Sequence, residues 1–215
     1  MYAKFWKRFL DLTLSLLALI VLSPVLLVLI IVGAIAMRGN PFFVQPRPGK
    51  KGKDGREKIF YLIKLRSMNN KRGINGELLP DDQRLGRYGA FLRSTSLDEL
   101  PSLVNIILGQ LSIVGPRPLL VAYLPRYSAR QRRRHEVRPG LTGYAQAYGR
   151  NLLTWEEKFE KDVYYVDNLS FWLDVKIIFK TISVVLKREG ITSDTSVTME
   201  EFMGVEKEMK VINHE

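Results

Sequence analysis

Two adjacent acids, Asp98 and Glu99, stand in the stretch "RSTSLDELPSL" of a chain that is otherwise strongly basic. Carboxylates of this kind serve as nucleophiles or as acid–base groups. The same residues also fit helix grammar. Ser96-Leu97-Asp98-Glu99 matches a capping box, with Ser96 as N-cap and Glu99 reaching back from the third helical position. Asp98 then sits in the first turn, where a helix dipole favours negative charge. These four residues alone allow both readings.

Composition narrows the chemistry. The chain has 215 residues, no cysteine and two histidines. That excludes thiolate nucleophiles, disulfides and cysteine-ligated zinc. His135 lies within "RRRHE" and His214 beside the last residue. Both read as solvated, so neither a histidine zinc site nor a serine triad is expected. Acid–base or nucleophilic work falls to carboxylates. The formal net charge is +11 and the pI about 9.8, which points to anionic partners: nucleic acid, an anionic membrane surface or phosphorylated substrates.

Some cations stand where the backbone itself would hold them. In "LSIVGPRPL", Pro116 and Pro118 fix the chain on either side of Arg117. A planar guanidinium on a stiff, extended backbone suits a phosphate; a rigid turn with an incidental arginine is the alternative. Lys64 and Arg66, two apart in "EKIFYLIKLRSM", share one face of a strand. The loop "RPGLTGYAQAYGR" has glycines at 140, 143 and 149, which let backbone approach a ligand closely. It is neither a dinucleotide-binding nor a P-loop fingerprint. The remaining positive charge includes ten Lys or Arg from Arg47 to Arg72 and six arginines from Arg126 to Arg138. It reads mostly as solvated or membrane-facing surface.

The elements that position these groups follow from periodicity. Leu12 to Met37 is a run of 26 residues without a charge. As a straight helix it would span about 39 Å, enough for a hydrocarbon core of about 30 Å. Pro24 stands near its middle. It removes a donor and clashes with the preceding turn, so a break is expected at Ser23-Pro24, with Ser23 able to satisfy the freed backbone. Lys4, Lys7 and Arg8 precede the run, and Arg38, Arg47, Lys50 and Lys51 follow it. Both flanks favour the cytoplasmic side, which a helix that enters, breaks and returns satisfies; a kinked spanning helix is the alternative. The run is too long for a signal peptide. "FFVQPRPG" and "EKIFYLIKLRSM", separated by the turn-rich "KKGKDGR", form a hairpin. "LPSLVNIILG" is a helix ending at Gly109. Thr154-Trp155-Glu156-Glu157 is a second capping box, opening a helix to about Val166. "SFWLDVKIIFKTISVVLKREG" is a helix closed by Gly190. Its polar stripe of Lys176, Lys180, Ser183 and Lys187 suits a core or a membrane interface. The last 25 residues turn acidic and read as a loosely attached tail.

In order along the chain come the broken apolar helix, "RPG", "KLRSM", "RSTSLDELPSL", "VGPRPL", "RPGLTGYAQAYGR" and "WLDVK". This series resembles the monotopic phosphoglycosyl transferases, the bacterial sugar transferase family that starts membrane glycan assembly. The resemblance runs from Met1 to about Gly204, where "SVTMEEFMG" is similar to the end of the short epsilonproteobacterial members, which serve protein N-glycosylation. It implies an α+β fold, mainly helical. A re-entrant membrane helix occupies 1–38, and a small cytosolic catalytic domain with a short β-hairpin and interfacial amphipathic helices occupies 39–190. The acidic C-terminal tail occupies 191–215. It implies transfer of a phosphosugar from a UDP-sugar to undecaprenyl phosphate, giving undecaprenyl-diphosphate-sugar and UMP, with Mg²⁺. By that resemblance to the epsilonproteobacterial members, the donor expected is UDP-N,N′-diacetylbacillosamine.

The resemblance also assigns roles. Asp98 becomes the nucleophile that forms a covalent aspartyl-phosphosugar intermediate and touches the metal, and Glu99 its partner in metal or proton handling. Lys64, Arg93 and Arg117 become phosphate ligands, and Gln146 and Arg150 serve the nucleotide. Membrane lipids and downstream glycosyltransferases become partners, at the cytoplasmic face of the bacterial inner membrane. One departure is Ala147-Tyr148, where the family commonly reads Val-Asn. Two other readings compete: a membrane-tethered nucleic-acid binder and a non-catalytic membrane scaffold. The first has charge alone in its favour, since the basic runs lack interleaved aromatics for base stacking. The second leaves Asp98, Glu99 and Arg117 unexplained.

Overall fold

The computed structural model describes residues 1–149, 153–187 and 201–204. A π-helical turn, Tyr2–Trp6, leads into α1 (Lys7–Met37), which remains helical through Ser23-Pro24. The break expected at those two residues is therefore not an interruption of the helix. Pro24 cannot donate to the carbonyl one turn back, and Ser23 Oγ takes that carbonyl, Ile20 O, at 2.8 Å. One face of α1 is buried, through Lys7, Asp11, Ser15, Leu29 and Gly33, while Leu17, Ile20, Val21, Leu27, Val28 and Ile35 on the other faces are exposed.

The buried face lies along the rest of the protein from end to end. Near its start, Arg8 donates to Ile106 O and Ile107 O at 2.6 and 2.8 Å. Asp11 accepts Ser112 Oγ at 2.7 Å and Ile113 N at 3.0 Å. In the middle, Ala18 and Leu19 pack on the core of Phe60, Leu62, Leu103, Ile106 and Leu111. Near its end, Leu29 packs with Leu65 and Leu92, and Tyr88 OH donates to Leu29 O at 2.7 Å.

The hairpin forms as expected: β1 (Phe42–Lys51) pairs antiparallel with β2 (Glu57–Leu65). Phe43, Gln45 and Arg47 stand opposite Lys64, Leu62 and Phe60, so these side chains share one face. Short helices follow: α2 (Asp81–Arg84), α3 (Arg87–Thr95) and α4 (Ser102–Ile107). Gly109, at φ 77°, closes α4. A pair of three-residue parallel strands not foreseen from the sequence, β3 (Ser112–Val114) and β4 (Gly140–Thr142), comes next. Then come α5 (Tyr144–Ala147), α6 (Trp155–Asp167) and α7 (Phe171–Lys187). The Thr154–Glu157 capping box is present with both of its reciprocal bonds. α7 buries Asp174, Ile177 and Val184 and exposes Trp172, Phe179 and Ile182 beside Lys176 and Lys180. Its expected closure at Gly190 lies outside the described residues.

Two expectations change and one is extended. The Arg126–Arg138 stretch is not all surface: Arg134 is 2% and His135 4% exposed, in a 3₁₀ turn packed against α6. His135 is thus a buried histidine, its pKa lowered to about 3 by burial and by Arg134. The tail is not loose where it is described, since Phe202 is 1% exposed among Tyr123, Tyr127, Trp155 and Phe159. The glycines at 140 and 143 are also needed for backbone packing. A Cβ on Gly140 would lie 2.1 Å from Gly115 N, and one on Gly143 2.2 Å from Gly115 O.

Candidate active site

The acid pair does not open a helix in the way its sequence suggests. Ser96 has φ 57° and ψ 19°, because it closes α3, its N–H bonding back to Arg93 O and Leu92 O. A residue so engaged cannot adopt the extended conformation an N-cap requires, and no side-chain cap forms. Leu97–Glu99 is one 3₁₀ turn between α3 and α4. Glu99 is thereby freed from the capping box and turns toward the hairpin.

α4 fixes the hairpin beside that turn. Ser102 Oγ donates to Ile63 O at 2.7 Å, and Asn105 accepts Ile63 N at 3.0 Å while donating to Tyr61 O at 2.8 Å. These bonds complete the outer edge of β2. They set Lys64, the next residue, against Glu99: Lys64 Nζ donates to Glu99 Oε1 at 2.5 Å. The same oxygen accepts Arg117 NH2 at 3.0 Å from the loop after β3.

In front of this cluster is a cavity of about 630 Å³, a size usual for small-molecule sites. Among the described residues, Arg47, Lys64, Arg66, Arg84, Arg93 and Arg117 line it, against Asp98 as the one acid. Arg93 Nε donates to Ser67 Oγ at 3.1 Å, and Arg84 Nε to Asn69 O at 2.9 Å. Arg47 donates to Pro118 O at 3.1 Å and to Gln45 Oε1 at 2.5 Å. Lys64 and Arg117 share Glu99 and Arg84 pairs with Asp81 at 3.4 Å, whereas Arg47, Arg66 and Arg93 have no ion pair among the described residues.

The two acids are driven apart electrostatically. Burial and the neighbouring Glu99 raise the Asp98 pKa, and Lys64, Arg117 and Arg93 offset this only in part. Burial pushes Glu99 up as well, but Arg117 and Lys64 overcome it and hold Glu99 at about 2. Burial lowers Lys64 against the pull of Glu99, and lowers Arg47 to about 10 with help from Arg117. Asp98 is therefore the more basic carboxylate. It faces the cavity, with no hydrogen-bond donor on it among the described residues, while Glu99 is committed to two cations.

Among the described residues no three acids or histidines gather as a ready-made metal cage. Mg²⁺ commonly takes one or two carboxylates plus substrate phosphates, and Asp98 meets that requirement. Of the residues singled out in sequence, Lys64, Arg93, Asp98 and Arg117 meet at one cavity with Glu99 behind them. Gln146 does not line it; its amide donates to Leu141 O at 3.1 Å. Arg150 lies outside the described residues. Arg47 and Arg84 were missed, though Arg47 was readable: strand parity places it on the Lys64 face once the hairpin register is known.

Comparison with known proteins places this site in context. A family model described as bacterial sugar transferase matches residues 2–188. The chain is 49% identical over 198 residues to a protein of Bacillus subtilis named uncharacterized sugar transferase EpsL, covering 92% of this chain and 96% of that one. It is 37% identical to the UDP-glucose:undecaprenyl-phosphate glucose-1-phosphate transferase of Escherichia coli, over 82% of this chain and 39% of that protein. It is 34% identical to the UDP-N-acetylgalactosamine-undecaprenyl-phosphate N-acetylgalactosaminephosphotransferase of Aeromonas hydrophila, over 86% of this chain and 45% of that protein. The chain thus spans less than half the length of the two named transferases.

Proposed function

The chain belongs to the bacterial sugar transferase family and is a phosphoglycosyl transferase; from that premise we propose that it moves a phosphosugar from a UDP-sugar to undecaprenyl phosphate through a covalent bond to Asp98. The observation that carries the reading is one cavity in which, among the described residues, six cations face a single carboxylate whose pKa is raised. Such a lining suits a dianionic diphosphate, and the free carboxylate suits in-line attack on phosphorus.

In the first half-reaction an Asp98 oxygen bonds to the β-phosphorus of the donor. The bond from that phosphorus to the bridging oxygen breaks, and UMP leaves. In the second, an oxygen of the polyprenyl phosphate attacks the same phosphorus and the Asp98 carboxylate is released. Arg93, Arg117 and Lys64 orient the phosphate oxygens and offset their charge. Glu99, held near 2, is a poor proton carrier at neutral pH; it aims Lys64 and Arg117. Asp98 would hold Mg²⁺ together with the substrate phosphates, and the ion would supply further charge neutralisation on the diphosphate.

The reading includes topology. α1 touches the domain from Lys7 to Gly33, a span of about 39 Å, longer than a hydrocarbon core of about 30 Å. A crossing helix would pull either the Asp11–Ser112 contact or the Leu29–Leu92 cluster through the bilayer with it. This supports a placement with both ends of α1 on one side although the helix runs unbroken through Pro24, and the basic flanks and the cytosolic source of UDP-sugars favour the cytoplasmic side.

The deciding assay is UMP release from a panel of UDP-sugars, including UDP-N,N′-diacetylbacillosamine, UDP-glucose, UDP-galactose and UDP-N-acetylgalactosamine. Release requiring both polyprenyl phosphate and Mg²⁺ is expected for one donor. Release from none of them, by a folded protein in lipid, sinks the reading. For topology, single cysteines at Lys4 and Asn40 should both resist an impermeant maleimide until spheroplasts are lysed.

A further inference from the structure

Arg117 sits on a segment that cannot join a regular hydrogen-bonded ladder, since Pro116 and Pro118 bring no N–H. It is held by its carbonyls instead. Pro116 O accepts Gly140 N at 2.9 Å, Arg117 O accepts Arg134 NH2 at 2.7 Å, and Pro118 O accepts Arg47 NH1 at 3.1 Å. Gly140 acts through backbone and Arg47 lines the cavity. Arg134 does neither. It is 2% exposed, lies outside the cavity lining, and reaches the site only through the Arg117 carbonyl.

The grip on Arg134 is elaborate for a residue in an arginine-rich surface run. Asp162 Oδ2 accepts its NH2 at 2.7 Å and its Nε at 3.1 Å, and Tyr127 OH accepts NH1 at 3.1 Å. Its guanidinium stands 5.5 Å from the centre of the Phe159 ring and 5.7 Å from that of Tyr127. Phe202 comes from far along the chain and packs on both rings, 4.9 Å from Phe159 and 5.8 Å from Tyr127 between centroids. Arg126 fastens that segment by donating to Glu201 and to Phe202 O. A charge pair kept this dry holds its geometry firmly, because water cannot compete for either partner.

We propose that Arg134 is a positioning residue for Arg117, and that Phe202 is the seal which makes the Arg134–Asp162 pair rigid enough for that role. The segment bearing Phe202 is then part of the active site's framework although it touches no substrate. The alternative is that Arg134 and Asp162 are merely a structural pair, in which case their loss slows nothing through Arg117. The proposal rests on the phosphate-orienting role of Arg117.

The test is a set of variants in the full-length protein in lipid, read as kcat/KM for UMP release. Arg134→Met with Asp162→Leu removes both charges together, which avoids stranding a buried one. This pair variant should unfold at the wild-type temperature yet lose about tenfold in kcat/KM, the scale of a misaimed site group. Arg117→Lys alone should lose more. The combination of all three changes should be no slower than Arg117→Lys, since Arg134 would have nothing left to aim. Losses that multiply, or a wild-type rate in the pair variant, overturn the proposal. A wild-type rate in Arg117→Lys removes the role assigned to Arg117 and the proposal with it. If the pair variant does not fold, Phe202→Ala decides: a loss of about threefold that vanishes in the Arg117→Lys background and is restored by Phe202→Tyr supports it. Unchanged or multiplying losses there overturn it.

Discussion

Two carboxylates in this protein, Asp174 buried and Glu99 partly so, each gather several donors, yet they do different jobs. Asp174 accepts Tyr2 OH at 2.5 Å, Lys7 Nζ at 2.6 Å and Tyr165 OH at 2.7 Å. It ties α1 to α6 and α7 with one acid, one cation and two hydroxyls, and it opens on no described cavity. Glu99 likewise binds two cations, but its neighbourhood does not balance. Asp98 stands free beside it, and Arg47, Arg66, Arg84 and Arg93 face the same cavity. Buried charge has to be paired by something. Where the chain pairs it, the result is a joint. Where the chain leaves a surplus of one sign around a partly exposed cavity, an anionic ligand such as the proposed diphosphate would supply the missing charge.

The sharpest way to break this contrast is Asp98→Asn, which keeps size and loses the nucleophile. It should lower turnover by about a thousandfold or more. Mass spectrometry with UDP-sugar and no acceptor should show a phosphosugar adduct on the wild type and none on the variant. An adduct that maps to Glu99 would reverse the roles of the two acids. Arg117→Lys should follow with a loss of roughly ten- to a hundredfold in kcat/KM, because a point charge replaces a planar fork. Asp174→Asn should do the opposite. Leaving Lys7 without its counter-charge costs about 3 kcal/mol of stability, seen as a lower unfolding midpoint, while the rate per folded molecule stays within about threefold. A large rate loss in well-folded Asp174→Asn would erase the distinction between joint and site.

The smallest effect is a pH shift. Asp98 attacks only when ionised, and its pKa is raised above the ordinary value of 3.8. Adduct formation should therefore fall as pH drops through that raised pKa, an acid limb to which Glu99, near 2, contributes nothing. Arg117→Gln removes a cation that lowers the Asp98 pKa, so the limb should move to higher pH. A downward shift would mean that Arg117 does not stabilise the ionised Asp98 carboxylate.

What was legible in the sequence was what local rules determine. Strand alternation and a turn-rich linker mark the β1–β2 hairpin, and Thr154 with Glu157 marks the start of α6. The prolines around Arg117 mark a stiff segment. What was hidden depends on long-range pairing. Arg134 looks like every other arginine in "RQRRRHE", and only Asp162, 28 residues on, distinguishes it. Ser96 misled for a related reason. Its capping box is well formed as a sequence, but α3 ends on the same residue and takes its backbone first. Phe202 lies in an acidic, aperiodic stretch, and nothing local says that an aromatic cluster waits for it.

The joint at the start of α1 also sets an order of assembly. Asp11 and Lys7 meet Ser112 and Asp174, partners 101 and 167 residues further along the chain. At about 5–20 residues per second of synthesis, the helix waits roughly 5 to 30 seconds before those partners exist. During that interval Lys7 and Asp11, one turn apart on the same face, have each other as counterparts, and neither charge sinks readily into hydrocarbon. On the proposed membrane placement, the first turns of the nascent helix would stay at headgroup level while its apolar remainder enters lipid. On that placement assembly would run from the membrane outward, with the later chain folding down onto the polar edge of the helix.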